Sequence, residues 1–181
     1  MYRNTFLSVM FLACCFNGSL CAQGDAQIYE RTCDAKTYPF SDPSPVATPN
    51  NSYYPYFRFD GFSMQAQEKQ WKMVVLENDY VKLTVTPEIG GKIWGAIDKV
   101  NNKEFVYTNG VVKFRDVAMR GPWTSGGIEF NFGIIGHAPT CSTPIDYLTK
   151  KNVDGSVSCH IFSYEWITRT VWNVEINLPK D

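Results

Sequence analysis

The sequence predicts an all-β fold, an antiparallel β-sandwich, on three observations. Short runs alternate apolar and polar residues, turn-forming residues recur about every ten positions, and no window of about ten residues carries a helical period.

The runs begin at Trp71, where WKMVVL leads into Asn78-Asp79 and returns as YVKLTVTP. Alternation puts Val81, Leu83 and Val85 on one face and Lys82, Thr84 and Thr86 on the other. Asn and Asp tolerate positive φ, so the pair between the runs reads as a hairpin turn. EIGGKIWGAID follows, with Gly90 and Gly91 turning the chain sharply into a strand, and Asn101-Asn102 turns it again towards EFVYT. In the last third Asp154-Gly155 is a strong hairpin signal, followed by SVSCHIFSYEW. TVWNVEINL then sets Trp172, Val174, Ile176 and Leu178 on one face. All three turns predict antiparallel neighbours.

Residues 23–60 read as an extended lead-in, with Pro39, Pro43, Pro45, Pro49 and Pro55 recurring among Ser, Asn and Asp. This stretch is too aromatic for a free linker and is expected to lie along the surface of the domain formed by residues 61–181. Residues 1–22 read as a secretory signal peptide: Arg3 at the start, an apolar middle from Thr5 to Leu20, and a cut after Ala22. The apolar run is too short and too poorly flanked for a transmembrane span. FLAC and SLC, ending at Cys14 and Cys21, loosely resemble lipoboxes, so a lipid anchor is the rival to soluble export and the one route to a membrane. The expected location is exported: periplasmic, anchored at an outer membrane, or extracellular.

Cleavage removes Arg3 and no acid, so 17 basic residues become 16 against 18 acidic ones, a net charge of −2. Such a balance offers no basic face and argues against a nucleic-acid partner. The 159 residues left from 181 are enough for one domain with a sizeable core. Cys33, Cys141 and Cys159 remain, an odd number that permits one disulfide at most. Cys141 with Cys159 is the preferred pair, against the alternative that Cys159 is a core thiol. Aromatics at 15% suit a sandwich core and a sugar-contacting surface equally.

Dinucleotide and phosphate loops, the nucleophile elbow and Cys-x-x-Cys pairs are absent, so no cofactor is expected. Only His137 and His160 are available as histidine ligands, so no metal is expected either, and His160 alternates with Phe162 as a structural residue would. Attention falls on RGPWTSGGIEFNFGIIGHAP, residues 120–139. Read as a strand, it sends Ile128, Phe130 and Phe132 to the core and Glu129 and Asn131 together to the other face. Arg120, Trp123 and His137 lie close by in sequence. Carboxylate, amide and guanidinium are planar partners for sugar hydroxyls, and an aromatic face suits the C–H bonds of the ring. Glu129 and His137 are the candidate catalytic pair; Arg120, Trp123 and Asn131 are the candidate sugar-binding groups. The structural alternative is that Glu129 simply pairs with Arg120 and ties two strands together.

LENDYVKLTVTPEIGGKIW, VVKFRDVAMRGPWTSGGIEFNFGIIGH and DGSVSC resemble a family of uncharacterised exported bacterial domains, with the likeness running from about Tyr38 to the end. That family is assigned to the galactose mutarotase-like β-supersandwich superfamily and often precedes tetratricopeptide repeats. The resemblance implies a carbohydrate-binding fold with epimerases, glycoside hydrolase parts and polysaccharide lyases among its relatives. The usual epimerase histidine motifs are missing, so acid and base roles do not transfer by the resemblance. Supersandwich domains are longer than this chain, so the sandwich is expected to be incomplete at its C-terminus, with a further region of the same protein beyond it. The leading expectation is a carbohydrate-binding domain of a glycan-processing protein; a sugar-active enzyme, epimerase-like or glycosidase-like, and a structural piece without activity are the alternatives.

Overall fold

The computed structural model describes residues 24–39, 61–116, 122–134 and 136–181. Residues 1–22, expected to be a signal peptide, the proline-rich stretch 40–60, and Arg120 lie outside the described residues.

Among the described residues ten strands make two sheets. They are β1 (Gln27–Tyr38), β2 (Gln67–Glu77), β3 (Val81–Thr86), β4 (Lys92–Asp98), β5 (Lys103–Val106), β6 (Val111–Asp116), β7 (Pro122–Thr124), β8 (Asp146–Lys151), β9 (Val157–Glu165) and β10 (Thr170–Leu178). The large sheet has the order β5-β4-β3-β2-β1-β6-β7, and the small one β10-β9-β8. The all-β class is as the sequence predicts, and the three turn signals join antiparallel neighbours β2–β3, β4–β5 and β8–β9. At the first turn the Asn78 side-chain oxygen accepts from the backbone N–H groups of Tyr80 and Val81 at 2.9 and 2.7 Å, which closes the loop without a glycine.

β2 is the seam of the molecule. Met73, Val74, Val75 and Leu76 are each 3% exposed or less, so this strand buries both of its faces, as a continuous apolar run does. Val74 and Leu76 join Val85 and the β9 and β10 residues Val157, Cys159, Ile161, Trp172, Ile176 and Leu178 in the core between the sheets. On the other face Trp71 and Met73 pack with Ile89, Trp94, Val112 and Phe114. The β10 face read from the sequence is therefore inward, as expected.

Three sequence expectations are corrected. Strands do not begin at Trp71: β2 starts at Gln67, and β1 lies inside the stretch read as lead-in, paired with β2 over eleven residues. Its mostly exposed, polar-rich sequence hid it. The large sheet is not purely antiparallel, because β6 runs parallel to β1 through Lys36↔Val111 to Tyr38↔Lys113. Finally, the stretch after β7 is not a continuing strand. It makes a single bridge at Ile128 and then loops, leaving Ile128 and Phe132 at 44% and 38% exposed and Phe130 half-buried rather than all three enclosed. Phe132 stacks on Trp172 at 6.2 Å, so it lies on the sandwich core's margin.

The parallel pair has a geometric consequence. β5 and β6 are five strand spacings apart in the sheet, roughly 24 Å if it were flat. Val106 and Val111 are joined by residues 107–110, a connection that reaches about 18 Å at most. The sheet must curl until its two sides come within reach, and the connecting loop crosses its concave face as a strap. Gly95 on β4 makes room for it, since a Cβ there would collide with the Thr108 hydroxyl. The curl closes where Ile93 and Ile128 exchange both backbone hydrogen bonds, at 3.1 and 2.8 Å. Gly127 stands before that bridge with φ +69°, and a Cβ would press into the Ile93 carbonyl.

Gly127→Ala is expected to cost more than about 2 kcal/mol, from left-handed backbone strain plus the collision. Gly110→Ala, with no atom within 4 Å of the added carbon, should stay within about 0.5 kcal/mol. Urea melts of the two variants provide the check.

Candidate functional site

Lys92 opens β4 and is 2% exposed. Alternation places it on the face of Trp94, inside the curl. Its ammonium donates to the Thr124 carbonyl at 2.6 Å and the Thr124 hydroxyl at 3.0 Å. Thr124 belongs to β7, at the opposite edge of the sheet, so this cation fastens one edge of the curl to the other. β5 covers only the later part of β4, from Ala96 on, which leaves the start of β4 free to meet Ile128.

The chain past Ile128 delivers Glu129 to this place. Its side chain is 13% exposed, and one oxygen accepts from the Asn131 amide at 2.9 Å. The same oxygen lies 2.8 Å from His137 Nδ1. No hydrogen bond joins the two, so this is a close polar contact only. Asn131 turns its carbonyl to the His137 backbone N–H and to the Cys141 thiol, the latter at 3.3 Å. His137 itself has φ +59°, a left-handed conformation that histidine takes more readily than most residues and that Asn131 holds in place. Cys141 closes a short 3-10 turn, Pro139–Cys141, against which Gly90 packs so tightly that a Cβ would meet Thr140 and Cys141 backbone atoms. The two glycines before β4 thus serve a close approach as well as a turn.

Burial, modified by neighbouring charge, sets the protonation tendencies of this hub. Burial pulls the Lys92 ammonium below its ordinary range, and the negative charge of Glu129 works against that shift. Burial first, then the charge and hydrogen bonding of Glu129, push the Cys141 thiol up to about 12, while Lys92 opposes them. Cys159, inside the sandwich core, is pushed to about 11 by burial alone. Cys33, Cys141 and Cys159 are all free thiols, so the expected Cys141–Cys159 bridge is corrected: one belongs to the hub and the other to the core.

Of the residues singled out from the sequence, the fold brings together Glu129, Asn131 and His137. Trp123 is next to Thr124 on β7 and opposite Arg115, so its side chain leaves the other face of the strand from the one that meets Lys92. Arg120 lies outside the described residues, and the partners seen at Glu129 are Asn131, His137 and Cys141. His160 faces Glu175 across β9 and β10 at 3.7 Å, on the surface and away from the hub. Among the described residues no group of three His, Cys, Asp or Glu side chains could hold a metal ion. Sequence reasoning missed Lys92, although its parity with Trp94 and Ala96 in KIWGA already set a lysine on an apolar face.

A cleft of 290 Å³ opens on the concave face beneath the strap. Trp94, Met73 and Val112 form its floor, and Arg31, Lys82, Thr84, Glu104, Thr108 and Asn109 provide polar groups around it. Cleft and hub share structural members. Trp94 borders the cleft and its ring centre lies 5.8 Å from the Lys92 ammonium. Asn109 of the strap donates to the Ser125 hydroxyl, and the Gly127 N–H donates to the Tyr107 carbonyl at 2.8 Å. The strap is therefore pinned to the loop that leads into Glu129.

Residues 48–181 match a family described as a domain of unknown function, DUF5107. The chain belongs to the DUF5107 family. β1, which sits between β2 and β6, precedes the matched residues. This DUF5107 chain is also similar to a crystal structure of a TPR-domain containing protein from Parabacteroides distasonis ATCC 8503, with a TM-score of 0.75 and 28% identity. The likeness covers 87% of this chain and 27% of the other, so the chain spans about a quarter of the length of that protein.

Lys92→Met is expected to lower stability by about 3 kcal/mol in urea melts, because it leaves Thr124 and the buried Glu129 charge without their cation. The thiols supply a second expectation. Cys141 and Cys159 should resist iodoacetamide at pH 8 in the folded protein and react in urea, as read by peptide mapping. Their folded pKa values of about 12 and 11 exceed the ordinary 9.0, so their contribution is complete below about pH 9 and declines as pH rises towards 11 to 12. Tyr147, raised to about 12 chiefly by burial and by its bond to Glu30, acts in the same direction. Cys141→Ala should flatten the alkaline fall in melting temperature.

Proposed function

We propose that this DUF5107 chain is an exported bacterial carbohydrate-binding domain of a glycan-processing protein, built on a galactose mutarotase-like β-supersandwich plan. The observation that carries this reading is the strapped concave face: an apolar floor where the largely buried Trp94 packs with Met73 and Val112, with hydroxyl, amide and charged side chains around it. Sugar rings bind through that combination, C–H faces on the aromatic ring and hydroxyls on planar polar groups. Asn131 and His137 keep solvent-facing area at the hub, where they can meet a further part of a glycan. The similarity to a much longer TPR-domain containing protein supports a domain that works as part of a larger chain. No nucleic-acid partner is proposed, and membrane attachment only through a lipid anchor.

One observation favours an enzyme as the second reading, the contact of Glu129 with His137 at 2.8 Å. Glu129 would then act as acid or base with His137 as its partner. Hydrolysis of a glycosidic bond generally needs a second carboxylate about 5–10 Å away. Glu88 accepts instead from the backbone N–H of Lys72, and Asp146 lies exposed on β8 opposite Phe162. Binding is therefore the better supported of the two.

Isothermal titration of the longest native chain against a panel of oligosaccharides tests the reading. Saturable binding is expected, and Thr84→Val should weaken it about tenfold without lowering the melting temperature. Glu129→Gln should cost about 1–3 kcal/mol of stability and leave sugar affinity within about threefold. Turnover of a sugar substrate that Glu129→Gln abolishes while binding survives would establish the enzyme instead, and a panel without any bound glycan would end the carbohydrate reading.

A further inference from the structure

We infer that the cleft beneath the strap selects a sugar residue carrying a carboxylate, of the uronic acid type. The inference rests on the carbohydrate reading above and adds the charge that the site requires. Register decides which charged side chains enter the cleft. Arg31, Cys33 and Ala35 share the concave face of β1, so the Asp34 side chain leaves by the opposite face and contributes backbone alone. Lys82 and Glu104 both pair with Ile97, from β3 and β5, and stand on its face. Two cations and one acid thus border a space of 290 Å³.

The acids at hand do not neutralise both cations. Lys82 lies 3.9 Å from Glu77, but that carboxylate is already held by Lys99 at 2.8 Å and by the Tyr29 hydroxyl at 3.0 Å. Arg31 has no ion-pair partner among the described residues, where its cross-strand neighbour is Met73. A guanidinium and an ammonium bordering one cleft are suited to a carboxylate, the guanidinium by its paired N–H donors and the ammonium as a point charge. The rest of the lining suits the ring: the apolar floor of Trp94, Met73 and Val112 for its C–H groups, and Thr84, Thr108 and Asn109 for hydroxyls. The volume is near the lower end for small-molecule sites and fits a single ring better than a longer segment.

The full native chain is titrated with galacturonate and glucuronate oligosaccharides, with their neutral galactose and glucose counterparts, and with cyclohexanecarboxylate. A uronate is expected to bind about tenfold or more tighter than its neutral counterpart, with the preference shrinking as salt is raised. Arg31→Gln and Lys82→Gln should each remove most of that preference while the melting temperature stays as it was. Equal affinity for neutral and acidic sugars overturns the inference and leaves the carbohydrate reading standing. Binding of cyclohexanecarboxylate as tightly as uronate overturns the sugar assignment and keeps the carboxylate one. A preference for uronate that survives both substitutions places the carboxylate elsewhere and also overturns the inference.

Discussion

The connection from β5 to β6 is four residues long, and most of the site follows from that shortness. A sheet whose order runs β5-β4-β3-β2-β1-β6-β7 cannot be crossed by so little chain unless it bends strongly. Bending gives the sheet an inner face, turns the strap into a roof over part of it, and carries β7 round towards β4. Lys92 and Thr124 then meet across what would be distant edges of a flat sheet. A buried ammonium is costly to desolvate, and its two hydrogen bonds and the opposing charge of Glu129 offset that cost. The lock is specific for the same reason, since a shift of either edge would leave the cation without partners.

The Glu129 hub and the cleft have different physical characters. In the hub, Asn131, His137, Cys141 and Lys92 all lean on a carboxylate that is mostly enclosed, which favours a single arrangement of the loop from Gly127 to Cys141. The cleft is more open and its charged groups are less engaged. Rigidity on one side and less engaged charged groups, among the described residues, on the other is the division that the proposed binding role calls for, in which scaffold interactions fix the positions of groups that a ligand would complete. The Asn109–Ser125 and Gly127–Tyr107 hydrogen bonds join the two, so a ligand bearing on the strap also bears on the loop that holds Glu129.

The family match and the structural unit also differ in extent. The DUF5107 match starts at residue 48, whereas β1 ends at Tyr38 and supplies a strand in the interior of the large sheet. Arg31, Cys33 and Ala35 of that strand line the cleft. A fragment cut at the start of the family match would lack one wall of the site and would expose the edges of β2 and β6.

What the sequence determined by itself was local. Asn78-Asp79, Asn101-Asn102 and Asp154-Gly155 specify their hairpins because turn geometry depends on the residues in the turn. The faces of β3 and β10 follow from alternation, which is a property of any extended chain. Glu129 and Asn131 were placed together on that basis and do meet, although through a looped segment rather than a strand. The tertiary structure decided the rest. β1 is polar along much of its length and earns its place through backbone pairing with β2 and β6, which no side-chain pattern announces. Ile128, Phe130 and Phe132 alternate like a buried strand, yet the curl gives them one bridge partner and a place at the core's margin. Lys92, Thr124 and Glu129 belong to one group only because the sheet bends, and bending is set by the sum of strand order and loop length, a quantity spread over the whole chain.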